Sequence, residues 1–121
     1  MAAVELTKHS IYAATHPSMY HFLSIPPDKA KQLPQMATGF VLIYKSCRSL
    51  EAISWWVLCA LEPDCLSPAA AKLTCQFGKP QYAECHRFDQ SALSIILAVR
   101  NQFQTRNYHI PIGPLVRTHY R

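Results

Sequence analysis

Five cysteines, Cys47, Cys59, Cys65, Cys75 and Cys85, fall in the middle of a 121-residue chain, and their oxidation state limits what that region can become. Their long, uneven spacings suit disulfides formed in an oxidising lumen. An odd count leaves one thiol over, and Cys47, outside the 59–65–75–85 series, is the expected free one. The other four allow three pairings, among which spacing does not choose. Zinc is the competing use, with Cys59, Cys65, Cys75, Cys85 and His86 as ligands. It is disfavoured because the chain has no CxxC knuckle and no HxxxH pair to bring ligands in as close neighbours.

The remaining composition fits one folded domain. Half of the residues are hydrophobic and 16% are charged, enough apolar material for a core. With 3 glycines against 9 prolines, few turns can use positive φ, and the loops are stiffened by proline. The net charge of +5 favours anionic partners, but Lys and Arg are scattered singly, so a nucleic-acid module is not expected. The longest apolar stretch, Ile53 to Leu61, is far shorter than the roughly 20 residues needed to span a bilayer. Residues 1–9 lack a charged segment followed by an apolar one, so a secretory signal is expected upstream if the chain enters the secretory pathway.

Local patterning predicts a mixed α/β layout. Residues 1–14 read as an irregular lead-in or a broken strand, and 15–121 as the domain proper. A short helix is predicted over Thr15 to Leu23, capped by Thr15, and one turn over Asp28 to Leu33, capped by Asp28. Met36 to Tyr44 reads as the main strand, and its continuously apolar second half suits a central position buried on both faces. Gly39 within it marks a close approach by backbone or ligand. A helix from Ser49 to Leu61 is capped by Ser46 or Ser49 and carries Ile53, Trp56, Val57 and Ala60 at helical spacing. A second runs from Asp89, as N-cap, to Asn101. The stretch from Ala69 to Ala83 reads as irregular, and Tyr108–Ile112 and Leu115–Tyr120 as short extended segments.

The segment Cys85-His-Arg-Phe-Asp-Gln-Ser91 is the most informative. It carries His, Arg, Asp and Gln directly into a helix N-terminus, where free amide N–H groups attract anions. Arg87 is a planar bidentate donor for carboxylate or phosphate, and Asp89 can orient or deprotonate a hydroxyl. A purely structural use is open as well, with Asp89 as a helix cap and Arg87 paired to Asp89 or Glu84.

His86-Arg-Phe-Asp-Gln-Ser91 followed by an apolar helix resembles a signature in the C-terminal half of GT-A-type glycosyltransferase-like families, in particular an uncharacterised animal family common in nematodes and flatworms. The order of Thr15-His-Pro-x-Met-Tyr20, Ala37-x-Gly-Phe40, Trp56-x-x-Cys-Ala-Leu61, Cys65 and Cys75 is similar, over roughly residues 15 to 101. The resemblance implies the acceptor-side half of a GT-A fold with an incomplete sheet. In it Thr38 and Gly39 form the pocket floor, and His86, Arg87 and Gln90 contact donor or acceptor oxygens. Asp89 is the base or the sugar-orienting acid. It also implies a Golgi or secretory setting, and a nucleotide-sugar and a glycan or protein acceptor as partners of the complete protein. Mn²⁺ or Mg²⁺ is expected only in such a complete enzyme. This chain departs from the pattern in having no Asp-x-Asp pair and no βαβ nucleotide unit, so no metal ligands and no cofactor are expected here, and the chain alone is expected to be inactive. The alternative expectation is a non-catalytic binding domain with a disulfide-bonded cysteine loop, its Trp-rich helix docking another chain or a glycan face and the odd Cys47 open to cross-linking.

Overall fold

A computed structural model describes residues 1–78 and 82–111, with no side-chain description at 2–4. The expected mixture of helix and strand is present. The elements are β1 (Ala2–Ser10), a 3-10 turn (Tyr12–Ala14), α1 (Met19–Leu23), α2 (Pro27–Gln32), β2 (Pro34–Leu42), α3 (Cys47–Leu61), α4 (Phe88–Arg100) and a second 3-10 turn (Thr105–Asn107).

The core is built around α4. Residues Ser91 to Ala98 are all buried, so this helix is surrounded on every side, as an all-round apolar sequence requires. Leu93, Ile95, Ile96 and Leu97 pack with Ile11, Met19, Tyr20, Leu23 and Ile25 from the N-terminal half, Met36 from β2 and Tyr108 beyond the helix. Helix α3 lies on one flank of α4, where Trp56 Nε1–H donates to the Asp89 carbonyl (3.2 Å). Arg48 reaches the other end of α4 and donates to the Arg100 carbonyl (3.2 Å), a cation at a helix C-terminus where the dipole favours one.

β1 and β2 pair antiparallel as the only sheet among the described residues. The lead-in over residues 1–14 is thus a strand for most of its length, a correction to its irregular reading and agreement with the broken-strand one. Its ladder shifts register twice, between Ala3 and Glu5 and between Leu6 and Ser10. In the first shift Ala3–Glu5 faces Val41–Ala37, so the extra residues belong to β2 around Gly39. In the second Leu6–Ser10 faces Met36–Pro34, so they belong to β1 at 7–9. Gly39 sits at a bulge, where a missing side chain lets the strand bend.

Several expectations about the elements are corrected. The second half of β2 is not doubly buried: Phe40 is 43% exposed and the following Ile43 and Tyr44 are 51% and 69% exposed. A two-stranded sheet has too few neighbours to cover both faces. Helix α1 starts at Met19 without a side-chain cap, because the Thr15 hydroxyl is drawn into the core instead. Asp28 is in the first turn of α2 behind Pro26 and does not cap it. Asp89 likewise stands inside the first turn of α4, with Arg87 at the N-cap. α3 keeps its expected cap, a reciprocal box in which Ser46 and Ser49 each accept from the other's backbone N–H. Its buried face, however, is Ser49, Ala52 and Cys59, not the stripe through Ile53, Val57 and Ala60. The Cys59–Cys65 bridge holds Cys59 inward and fixes that rotation. The region from Ala69 onward is irregular as expected, in its described part. Tyr108 follows a 3-10 turn and is fully buried, whereas the predicted segment Leu115–Tyr120 and the end of Tyr108–Ile112 lie outside the described residues.

Candidate functional site

The cysteine question is answered by two bridges, Cys59–Cys65 and Cys75–Cys85, with Cys47 free and exposed. All four candidate zinc thiolates are therefore oxidised. Among the described residues no group of three or more His, Cys, Asp or Glu gathers to hold a cation.

The Cys75–Cys85 bridge ties the irregular loop to the start of the segment that enters α4. Two residues on this segment hold positive φ without being glycine, Glu84 (55°) and Phe88 (33°). Such conformations cost on the order of 1–3 kcal/mol each and persist only where neighbours over-determine them. Here the neighbours are His86 and Ser91.

His86 is fully buried and both ring nitrogens are spent. The His16 backbone N–H donates to its Nδ1 (2.9 Å), so Nδ1 carries no proton, and Nε2–H donates to the Leu66 carbonyl (2.9 Å). Its own N–H donates to the Lys72 carbonyl (2.8 Å). Burial pushes its pKa below the ordinary histidine value, against a raising effect of the Leu66 hydrogen bond. His86 is a neutral pin joining residues 16, 66, 72 and 86. The expected contact of this ring with a substrate would require breaking one of those bonds.

Ser91 is the second pin. Its hydroxyl donates to the Ala14 carbonyl (2.9 Å) and accepts from the Thr15 hydroxyl (2.9 Å) and from Gln35 Nε2–H (3.0 Å). That is the full capacity of one hydroxyl. Gln35 Oε1 accepts from His9 Nε2–H (2.6 Å), and the bulge at 7–9 turns His9 toward it. Ser94, one turn on, accepts the Met36 N–H (2.9 Å). These buried polar groups were not singled out by the sequence reading. The only signal was Ser91 within the motif and a Ser at the next position facing the same way, three residues later.

What remains available to a ligand is the outer side of the loop. Arg87 and Gln90 are half-buried and Asp89 is exposed in the first turn of α4. The Arg87 backbone N–H is used, donating to the Ala14 carbonyl (3.0 Å). His9 stacks on Phe77 (centroids 4.7 Å apart, planes at 30°). The pKa of His9 is lowered first by burial and then by the Arg87 charge, against the Gln35 hydrogen bond. The charge of Arg87 is thus felt at His9, whose ring is stacked on Phe77. Thr38 and Gly39 lie on β2. Among the described residues no hydrogen bond links either of them to Arg87, Asp89 or Gln90. They sit at the β2 bulge, beyond the Met36 contact with Ser94 and farther along the strand from the Gln35–Ser91 end.

Comparisons with protein families, with curated proteins and with solved structures find no match to this chain.

Proposed function

We propose that this chain is the acceptor-side half of a sugar-transfer domain, inactive alone, whose outer loop face holds a carbohydrate hydroxyl through Asp89, Arg87 and Gln90. The observation that carries the reading is the fixing of this loop. A disulfide, the His86 pin and the Ser91 pin hold the loop in a strained conformation and leave a guanidinium and a carboxylate outside. A carboxylate with an amide and a guanidinium nearby suits paired sugar hydroxyls, and the His9–Phe77 stack offers an apolar ring face. The exposed apolar end of β2 is consistent with a sheet that other strands complete in the GT-A-like manner. Two disulfides suit a secretory or Golgi lumen. On this reading the nucleotide-sugar and its Mn²⁺ or Mg²⁺ belong to the other half of the domain.

A second reading, a non-catalytic binding domain with a disulfide-bonded cysteine loop, is favoured by one observation: both ring nitrogens of His86 are spent inside the fold. Glycan binding by the folded, oxidised chain separates the readings. On an array of immobilised glycans, or by saturation-transfer NMR, Asp89→Asn is expected to abolish binding with melting temperature unchanged, because Asp89 is exposed. Retention of binding by Asp89→Asn, or no glycan bound at all, sinks the sugar reading and leaves the second.

A further inference from the structure

Helix α3 carries an apolar stripe on the face opposite its core contacts. Leu50 (50% exposed), Val57 (50%), Leu58 (58%) and Leu61 (75%) face outward, while Ser49, Ala52 and Cys59 face in. From Ala52 to Leu61 the helix has no charged residue. A surface helix normally presents a polar face to water.

The stripe has an order that one kind of partner matches. Cys47, Leu50, Ser54, Leu58 and Leu61 follow one another at spacings of 3, 4, 4 and 3 residues, which read the same in both directions about Ser54. These are the intervals of one continuous helix face. An antiparallel copy of α3 laid across Ser54 therefore puts Leu50 against its partner's Leu58, and Cys47 against its partner's Leu61. Small Ser54 at the centre permits close approach, and its hydroxyl already donates to the Leu50 carbonyl (2.8 Å), so the centre can become dry without orphaning a polar group.

Charge at the two ends agrees. Exposed Lys45 stands just before the N-terminal end, where Arg48 and Glu51 are already engaged with α4, and exposed Glu62 and Asp64 flank the C-terminal end. Cations at a helix N-terminus and acids at its C-terminus oppose the helix dipole, so the placement gains nothing for α3 alone. In an antiparallel pair each basic end meets an acidic end, and the two dipoles run in opposition.

We propose that α3 is a self-association surface, on which a second copy of this chain packs through an antiparallel two-fold contact centred on Ser54. The contact is independent of the carbohydrate face, so either reading can fail without the other. Both copies contribute the same residues, as a closed two-fold interface demands.

Sedimentation of the oxidised chain over a dilution series is expected to show a species of twice 13.7 kDa. Leu58→Lys places two charges in the contact and should weaken association by about a hundredfold or more, with circular dichroism unchanged, and with melting temperature unchanged at dilutions where the native chain is itself monomeric, because Leu58 is exposed in the monomer. Lys45→Glu and Glu62→Lys should each weaken it, and together restore it. Leu61→Cys should form an intermolecular disulfide with Cys47 of the second copy. Native Cys47 should not pair with its own equivalent, since antiparallel packing sets the two roughly 21 Å apart along the axis. A chain that is monomeric at all concentrations overturns the proposal. So does a Cys47-to-Cys47 disulfide dimer, or a dimer that Leu58→Lys leaves intact.

Discussion

Replacing Ser91 with alanine removes a hydroxyl that saturates three partners in a fully buried place. The Ala14 carbonyl keeps the Arg87 N–H, so it retains a donor. The Thr15 hydroxyl and Gln35 Nε2 lose the acceptor they share, and both residues are fully buried. Each orphaned buried group costs about 1–3 kcal/mol. Alanine in place of serine within a helix returns about 0.5 kcal/mol of propensity. The net expectation is a loss of about 1.5–5.5 kcal/mol, a large share of the roughly 5–15 kcal/mol that holds a domain of ordinary stability. Urea denaturation of the oxidised protein measures it as a shift of midpoint at constant slope. Thr15→Val serves as the partner variant. Because Thr15 without its hydroxyl no longer needs Ser91, Ser91→Ala should cost clearly less in the Thr15→Val background than in the native chain. A loss below about 0.5 kcal/mol for Ser91→Ala, or equal losses in both backgrounds, would refute the account of Ser91 as the hub of this network.

Two further outcomes test the loop. Replacing Cys75 and Cys85 together with serine opens a closure spanning 10 residues, worth about 2.7 kcal/mol by chain entropy, and should lower the unfolding midpoint accordingly. The same variant should weaken any glycan binding at Arg87 and Asp89, since the loop that presents them is released. Stability should also fall on acidification. Burial holds the folded-state pKa of His86 below its unfolded value of 6.5, and that of His9 likewise. The unfolded chain therefore binds more protons below that value. The stabilisation is complete above pH 6.5 and is lost as the pH falls from there through the lower folded-state values. Melting temperature should drop between pH 7.5 and 5, and His86→Gln, which keeps a donor and an acceptor, should flatten that drop in part. A melting temperature indifferent to pH across this window would count against a buried neutral His86.

Much of the local structure was legible in the chain. The α3 and α4 helices, the strand through Met36 to Leu42, the irregular cysteine loop and the free Cys47 all follow from periodicity, caps and spacing, which act within a few residues. What the spacing could not give was decided elsewhere. The start of α1 moved from Thr15 to Met19 because the Thr15 hydroxyl is committed to Ser91, a distant partner that capping propensity does not weigh, and α4 starts one residue before Asp89. The buried face of α3 rotated away from the expected one because Cys59 is bound to Cys65, a covalent tie between segments that periodicity ignores. Of the predicted site residues, Arg87, Asp89 and Gln90 were drawn together on one turn because they are adjacent in sequence. His86 was diverted into the fold, and Thr38 and Gly39 stand at the β2 bulge.

The sequence by itself therefore determined which segments are helical or extended, which thiols are oxidised candidates, and that one loop carries a charged, polar run into a helix. Only tertiary structure decided which cysteines join, that the two strands stand as a pair with the apolar end of β2 exposed, and that His9, Gln35, Thr15 and Ser91 form one chain of hydrogen bonds. The physical reason is range. Propensities and periodicity act over one turn or one pleat, whereas a bridge or a buried hydroxyl is satisfied by whatever the packing of distant segments brings beside it.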